Sequence, residues 1–174
     1  DKVTSVMQKI YSRPIKEELI SKRIAEIKKH GAVCAVSITP AMTKKLGPIA
    51  VEAGADVLVV QSTVTTARHS SNSVKGLQFP ELLEMVNVPI FVGNCVGYDV
   101  AREIMETGIH GLLVGVGPGA ACTTREVTGV GIPQVTATMD CAQARDDYYK
   151  DSGRYVPVIT DGGIRTGGEV CKAI

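Results

Sequence analysis

The residues best placed to do covalent chemistry lie in one run, Gly115-Val116-Gly117-Pro118-Gly119-Ala120-Ala121-Cys122-Thr123-Thr124-Arg125, continued by Gly129-Val130-Gly131-Ile132-Pro133-Gln134. The run directly follows an apolar stretch, Gly111-Leu112-Leu113-Val114, that reads as a strand. A cysteine becomes a strong nucleophile once its pKa is lowered and it is held as thiolate. Glycines around it free the backbone and let a ligand approach main-chain groups closely. Together they point to covalent chemistry on a ligand held by backbone groups. A connection of this length inside an α/β domain is unusual, and long ordered loops are commonly functional.

A second run, Val158-Ile159-Thr160-Asp161-Gly162-Gly163-Ile164, sets a carboxylate at the end of another apolar strand with two glycines behind it. Asp161 could accept hydrogen bonds from ribose hydroxyls. The N–H groups of Gly162 and Gly163, helped by a helix starting near Gly167, could cradle a phosphate. A plain left-handed turn followed by a helix cap would use the same residues. Asn94, just past the strand at 88–92, reads either as a polar ligand for a nucleotide or as a turn residue. The histidines offer less. His30 sits at a helix end, where the dipole favours it; His110 precedes a strand; His69 reads as a solvated loop residue, with a place facing the site as the alternative. Arg145, Asp146, Asp147 and Lys150 read as a solvated helix face with i,i+4 pairing.

Composition narrows the class. A formal net charge of +1 gives no strong pull toward nucleic acid or a membrane surface. The apolar stretches are strand-sized, which argues against a transmembrane helix, and residues 1–5 lack the apolar core of a signal peptide. The five cysteines are odd in number and widely spaced, with no CxxC pair, which weakens zinc-ribbon and redox-motif readings. A reducing, cytoplasmic setting follows. Apart from Cys122, each of Cys34, Cys95, Cys141 and Cys171 reads as a small buried hydrophobe.

The elements that must position these residues alternate. Apolar positions at helical spacing predict a helix over 15–30, stopped by Gly31. Further helices are expected over 41–53, around 80–85 within 74–86, over 99–107 and 135–150, and from 167 onward. Strands are expected over 32–38, 56–61, 88–92, 111–114 and 157–160, with the first buried. Five apolar strands alternating with helices argue a parallel α/β architecture covered on both faces. An open doubly wound sheet and a (β/α)8 barrel both fit this pattern. A complete barrel needs about 250 residues and eight strands, so the barrel reading makes residues 1–174 a single partial domain of about five βα units. On that reading the edge strands lie open, and the 174 residues expressed alone are expected to aggregate and to bind nucleotide poorly.

The cysteine loop resembles that of the IMP dehydrogenase/GMP reductase family, and the resemblance covers roughly residues 19–174. Further strings, among them Gly93-Asn94-Cys95-Val96 and Ala144-Arg145-Asp146-Asp147-Tyr148-Tyr149, look closest to the branch of IMP dehydrogenase-related proteins that lacks a regulatory CBS insert. The resemblance implies a (β/α)8 TIM barrel whose chemistry sits at the C-terminal ends of the strands. It implies that Cys122 adds to C2 of IMP, that hydride passes to NAD, and that the thioimidate is hydrolysed to XMP, with Thr124 aiding proton transfer. Asn94, Asp161, Gly162 and Gly163 match nucleotide contacts. Ser62, Thr63 and Gly115 match the nicotinamide side. The carbonyls of Gly117, Gly119 and Cys122 match a site for a monovalent cation, with potassium the expected ion. A cytoplasmic homo-oligomer, a tetramer by resemblance, is expected, with neither nucleic acid nor membrane as partner.

Two positions depart from the family pattern. Ala120 stands where a phosphate-binding serine is usual, and Gln61 where a strand-end aspartate usually meets the nicotinamide ribose. GMP reductase, which converts GMP to IMP with NADPH and releases ammonia, shares the cysteine loop and is the alternative enzyme. A nucleotide-binding barrel without turnover is the alternative from another class. Residues 157–174 also look like the FMN-binding stretch of 2-hydroxy-acid oxidases, a more distant reading that the cysteine loop disfavours.

Overall fold

The computed structural model describes residues 2–67 and 76–174. The elements run α1 (Lys2–Tyr11), α2 (Glu17–Lys28), β1 (Ala35–Ile38), α3 (Pro40–Glu52), β2 (Val57–Gln61), α4 (Phe79–Met85), β3 (Ile90–Cys95), α5 (Tyr98–Glu106), β4 (Gly111–Val114), α6 (Thr124–Thr128), α7 (Gln134–Ser152), β5 (Val158–Thr160) and α8 (Gly167–Ala173). Local chemistry accounts for many boundaries. Pro40 opens α3, where its missing N–H costs nothing. Gly153 closes α7 in the left-handed conformation. Thr166 and Glu169 form a reciprocal capping box at the start of α8.

All five strands are parallel and lie in the order β1-β2-β3-β4-β5. An open doubly wound sheet reverses its strand order at a switch point; this one never does. Each strand instead steps to the next in one direction, the winding of a (β/α)8 barrel, of which five units are present.

The core lies between this sheet and the helices on one face. Leu58 and Val60 of β2, Ile90 and Val92 of β3, and Leu112 and Val114 of β4 are fully buried. Those on β3 and β4 join Val60 in packing with Ala101, Ile104 and Met105 of α5 and Ala137, Cys141 and Ala144 of α7. A second cluster joins Leu58 to Ile24 of α2 and Leu46 and Ala50 of α3. The alternate residues Val57, Val59, Phe91, Leu113 and Ile159 form the other face and are only half-buried. That face would be a barrel's interior, so the expectation of strands covered on both faces holds here for one face.

Other expectations need correcting. The first strand begins at Ala35 rather than residue 32, and Ala35 and Ser37 are exposed, because β1 is an edge strand facing out of the helix layer on alternate residues. The 115–134 connection is not all loop, since α6 lies within it, and α1 was not foreseen. Cys34, Cys95 and Cys141 are buried, but Cys171, on the short final helix, is exposed. His30 lies beyond the end of α2 and is exposed. His110 serves the structure. Its Nδ1 accepts the Ile90 N–H at 3.2 Å, and partial burial together with nearby Arg154 lowers its pKa. His69 and the start of the 74–86 segment lie outside the described residues.

The polar face of α7 is more organised than a solvated surface. Asp147 accepts hydrogen bonds from Gln143 (2.9 Å), Lys150 (2.9 Å) and the Tyr98 hydroxyl (3.1 Å), the last tying α7 to α5. These donors, Gln143 foremost, hold its carboxyl down at about 2. A carboxyl whose folded pKa lies below its unfolded value stabilises the fold above the unfolded pKa, and that contribution disappears as pH falls through the folded one. Stability should therefore fall between about pH 4 and about pH 2 more steeply in the wild type than in Asp147→Asn. Melting temperatures followed across that range check this; parallel curves would refute it.

Candidate active site

Gln61 and Asn94 lie at the C-terminal ends of β2 and β3, the cysteine loop and Asp161 directly follow β4 and β5, and the sheet's curvature brings them together. Asn94 Nδ2 donates to Asp161 Oδ2 at 2.8 Å, and Gln61 Nε2 donates to the same oxygen at 2.9 Å. Gln61 Nε2 also donates to Asn94 Oδ1 at 2.9 Å. Gln61 ends β2, whereas Asp161 follows β5, three strands away. In a flat sheet that separation would be about 14 Å, at about 4.8 Å per strand, beyond the reach of two side chains. The bond therefore records strand ends converging as in a barrel.

Local backbone features aim these groups. The β3–β4 register shifts between Gly93 and Cys95, so Asn94 is an extra residue in its strand. Bulges of this kind re-aim a side chain. Its main chain is held from the other side: the Asn94 N–H donates to the Ser62 carbonyl (3.1 Å), and the Thr65 N–H donates to the Asn94 carbonyl (2.8 Å). Thr65, buried, also donates its hydroxyl to the Gly93 carbonyl. On the other flank, Gln134 Nε2 donates to the Val114 carbonyl at 2.7 Å and lies 3.4 Å from the Asp161 carbonyl. Gly115 has φ +140°, and a Cβ there would sit 2.5 Å from the Asp161 carbonyl oxygen and 2.8 Å from Gln134 Oε1. The glycine at 115 is thus demanded by packing between strand ends.

The cysteine loop is folded around Arg125. A Cβ at Gly117 or at Gly131 would meet Arg125 Cγ at 2.6 or 2.5 Å, so the arginine threads between two glycines. Its guanidinium donates to the Ile132 carbonyl and, at 3.5 Å, lies near that of Val116. This clasp closes the loop on itself and leaves Cys122 at its exposed tip. Cys122 Sγ lies 3.2 Å from Thr124 Oγ1. Hydrogen bonds from the Thr124 hydroxyl and from its backbone N–H favour the thiolate and lower the cysteine's pKa, with Arg125 adding a smaller electrostatic effect.

One cavity of about 450 Å³ gathers Cys122, Thr124, Asn94, Asp161, Gly162, Gly115, Gly117, Gly119, Ser62 and Thr63, together with Gln61 and Ser37. Gly163 stands apart. It lines a neighbouring cavity of about 640 Å³ with Ala120, Arg125, Arg165 and Lys172, and Pro118 forms a wall of both. The start of α8 already carries a carboxylate of its own. The Glu169 carboxylate accepts the N–H groups of Arg165 (2.6 Å) and Thr166 (2.9 Å), and the Thr166 hydroxyl accepts that of Glu169. That carboxylate competes with an anion for the helix dipole. The residue pattern alone did not mark Gln61 as a bonding partner, nor Thr65, Arg125 and Gln134. Only the two glycines flanking Arg125 carried a signal, and they look like ordinary loop residues.

The thiolate reading has a direct check. In a Cys171→Ser background, alkylation of Cys122 by iodoacetamide should reach half its maximal rate below the pH of an ordinary thiol. Thr124→Val, which deletes the hydroxyl donor, should raise that midpoint and slow the reaction at neutral pH several-fold. An unchanged midpoint would show that Thr124 does not tune the thiol.

Comparison with known proteins agrees with this layout. Residues 7–174 match the family model described as the IMP dehydrogenase/GMP reductase domain. An uncharacterized oxidoreductase of Mycobacterium tuberculosis is 34% identical over 171 residues, 97% of this chain and 46% of that protein. The inosine-5'-monophosphate dehydrogenase of Cryptosporidium parvum is 40% identical over 124 residues, covering 71% of this chain and 28% of that protein. The GMP reductase of Leishmania donovani is 43% identical over the same length, covering 71% and 24%. The crystal structure of an IMP dehydrogenase/GMP reductase-like protein from Corynebacterium glutamicum superposes with a TM-score of 0.85 at 36% identity, over 98% of this chain and 44% of that one. The chain thus spans less than half the length of the relatives it matches. No helix among the described residues is long and apolar enough to cross a membrane. With its strand order, its cysteine loop and a family model matched over nearly its whole length, this chain belongs to the IMP dehydrogenase/GMP reductase family of oxidoreductases.

Proposed function

We propose that this chain carries the nucleotide-side chemistry of a purine nucleotide oxidoreductase that oxidises IMP to XMP through a covalent bond to Cys122. The observation that carries the reading is the single cavity at the strand ends, with a thiol of lowered pKa on one wall and the Asp161 carboxylate on another. The Cys122 thiolate forms the S–C bond at C2 of the purine, and the hydride leaves that carbon. An acceptor for this hydride is what a bound NAD would supply. Water then adds to the resulting thioimidate, the C–S bond breaks, the sulfur departs as thiolate, and one proton of the added water passes to solvent. Thr124 Oγ1, 3.2 Å from the sulfur, holds the thiolate and is placed to move a proton there.

Asp161 accepts the ribose hydroxyls, with Asn94 and Gln61 already on its Oδ2. The phosphate lies beyond Pro118, toward Gly162 and Gly163. In this reading the phosphate meets the neighbouring cavity, which Arg125, Arg165 and Lys172 line together with Glu169, the partner of Arg165 at 3.1 Å. Ser62, Thr63 and Gly115, which line the Cys122 cavity, are the residues that would hold the nicotinamide. The carbonyls of Gly117, Gly119 and Cys122 are hard oxygen donors suited to a potassium ion; that of Gly119 already accepts the Cys122 N–H at 3.0 Å. A cytoplasmic homo-oligomer belongs to the same reading.

GMP reduction with NADPH is the second reading. What favours it is that the named reductase and dehydrogenase relatives match this chain over the same length at nearly the same identity. Steady-state assays with IMP plus NAD and with GMP plus NADPH decide between them, and turnover with neither would reject both. In the productive assay Cys122→Ala should abolish turnover while nucleotide still binds; retained turnover would exclude the covalent route. Asp161→Ala should raise the KM for the nucleotide about tenfold to a hundredfold, the effect of losing one or two hydrogen bonds to a charged group. A KM unchanged in that variant would remove Asp161 from the ribose site.

A further inference from the structure

We propose that Gln61 is a positioning residue whose side-chain amide fixes the Asp161 carboxylate, so that Oδ2 is fully engaged within the protein and Oδ1 is reserved for the ligand. Both protein donors converge on Oδ2: Asn94 Nδ2 at 2.8 Å and Gln61 Nε2 at 2.9 Å. The second hydrogen of the Gln61 amide goes to Asn94 Oδ1 at 2.9 Å, so the two side chains that hold the carboxylate also hold each other. Gln61 Oε1 lies 3.4 Å from the Ser37 hydroxyl, at the opposite end of the amide. The amide's direction is therefore set: turned round, its oxygen would face two acceptors with no hydrogen between them.

The triangle draws one residue from each of β2 and β3 and one from just past β5, and all three line the cavity that holds Cys122. Without Gln61, Asp161 keeps one partner and can swing about it. The amide is required at this place because the position must donate twice. A carboxylate of the same shape would donate nothing and would put a second negative charge beside Asp161. The consequence for the ligand, a KM effect, rests on the nucleotide reading above. The coupling between residues 61 and 161 does not.

The experiment uses Gln61→Glu, Gln61→Ala and a double variant that combines Gln61→Glu with Asp161→Asn, each compared with wild type at the same pH. At about pH 8, Gln61→Glu should raise the KM for the nucleotide about tenfold while kcat at saturation changes less than about threefold. Toward about pH 6 that KM should return toward the wild-type value. Two adjacent carboxylates share a proton at higher pH than either would alone, and a protonated carboxyl at position 61 donates again. Gln61→Ala should show a raised KM without this recovery.

Thermal melting gives the readout that needs no nucleotide. Crowding the two carboxylates raises the folded-state pKa of the pair, so Gln61→Glu should be less stable than wild type at about pH 8 and regain stability on acidification. In the double variant the amide introduced at position 161 donates to the carboxylate introduced at position 61, and the pH-dependent deficit should vanish. A melting deficit of Gln61→Glu that is the same at both pH values, or a KM within about twofold of wild type at about pH 8, would overturn the proposal. If wild type turns over no purine nucleotide, the functional reading fails, and the melting comparison alone still decides whether Gln61 fixes Asp161.

Discussion

Everything at this site depends on one residue being reached from several strands at once. Asp161 gives its N–H to the Val114 carbonyl of β4 at 2.8 Å and takes the amides of Asn94 from β3 and Gln61 from β2 on one carboxylate oxygen. The Gln134 amide of α7 lies against its carbonyl. These contacts exist only because a parallel sheet wound in one direction curls, bringing the ends of its strands together. In turn they hold the ends of four strands and one helix in a fixed relation. A site assembled this way has its geometry set by rigid elements, and rigid placement is what positioned chemistry requires.

The cysteine loop uses the opposite strategy. It is attached to this frame at Gly115, pinned by Gln134 and the Asp161 carbonyl, and beyond that point it is organised mainly by its own Arg125 clasp. The nucleophile therefore sits at the tip of a self-supporting turn, exposed, with its thiolate favoured by a hydroxyl and an N–H of the same segment. A rigid carboxylate on the sheet and a nucleophile on a loop suit a reaction in which the substrate must be held at one end and bonded at the other. Cys34, Cys95 and Cys141 are kept out of this chemistry by burial. Cys95 and Cys141, 3.9 Å apart beneath the strand ends, are buried, and the proximity and burial push the Cys95 pKa up.

The wall between the two cavities divides what looks continuous along the chain. Asp161, Gly162 and Gly163 are consecutive, yet Gly162 faces the Cys122 cavity and Gly163 the next, because the turn wraps around Pro118. The departures from the family pattern fall on this same architecture. Gln61 is drawn into bonds with Asn94 and Asp161, and Ala120 lines the neighbouring cavity rather than that of the cysteine.

Much of this was legible in the residues alone. Period and punctuation located the five strands and the helices that cover them, because burial against a sheet demands apolar runs and glycines end helices. The cysteine loop and the Asp-Gly-Gly turn were visible because nucleophiles, carboxylates and glycines at strand ends are chemically conspicuous. What could not be read was anything that needs two distant segments side by side. Strand order, which separates a barrel from an open sheet, depends on how units pack rather than on any one unit's pattern. The roles of Gln61, Gln134 and Arg125 depend on partners 100, 20 and 7 residues away. A side-chain amide has no pattern in sequence that distinguishes a solvated surface group from one bridging two strand ends; only the curvature of the sheet makes that choice.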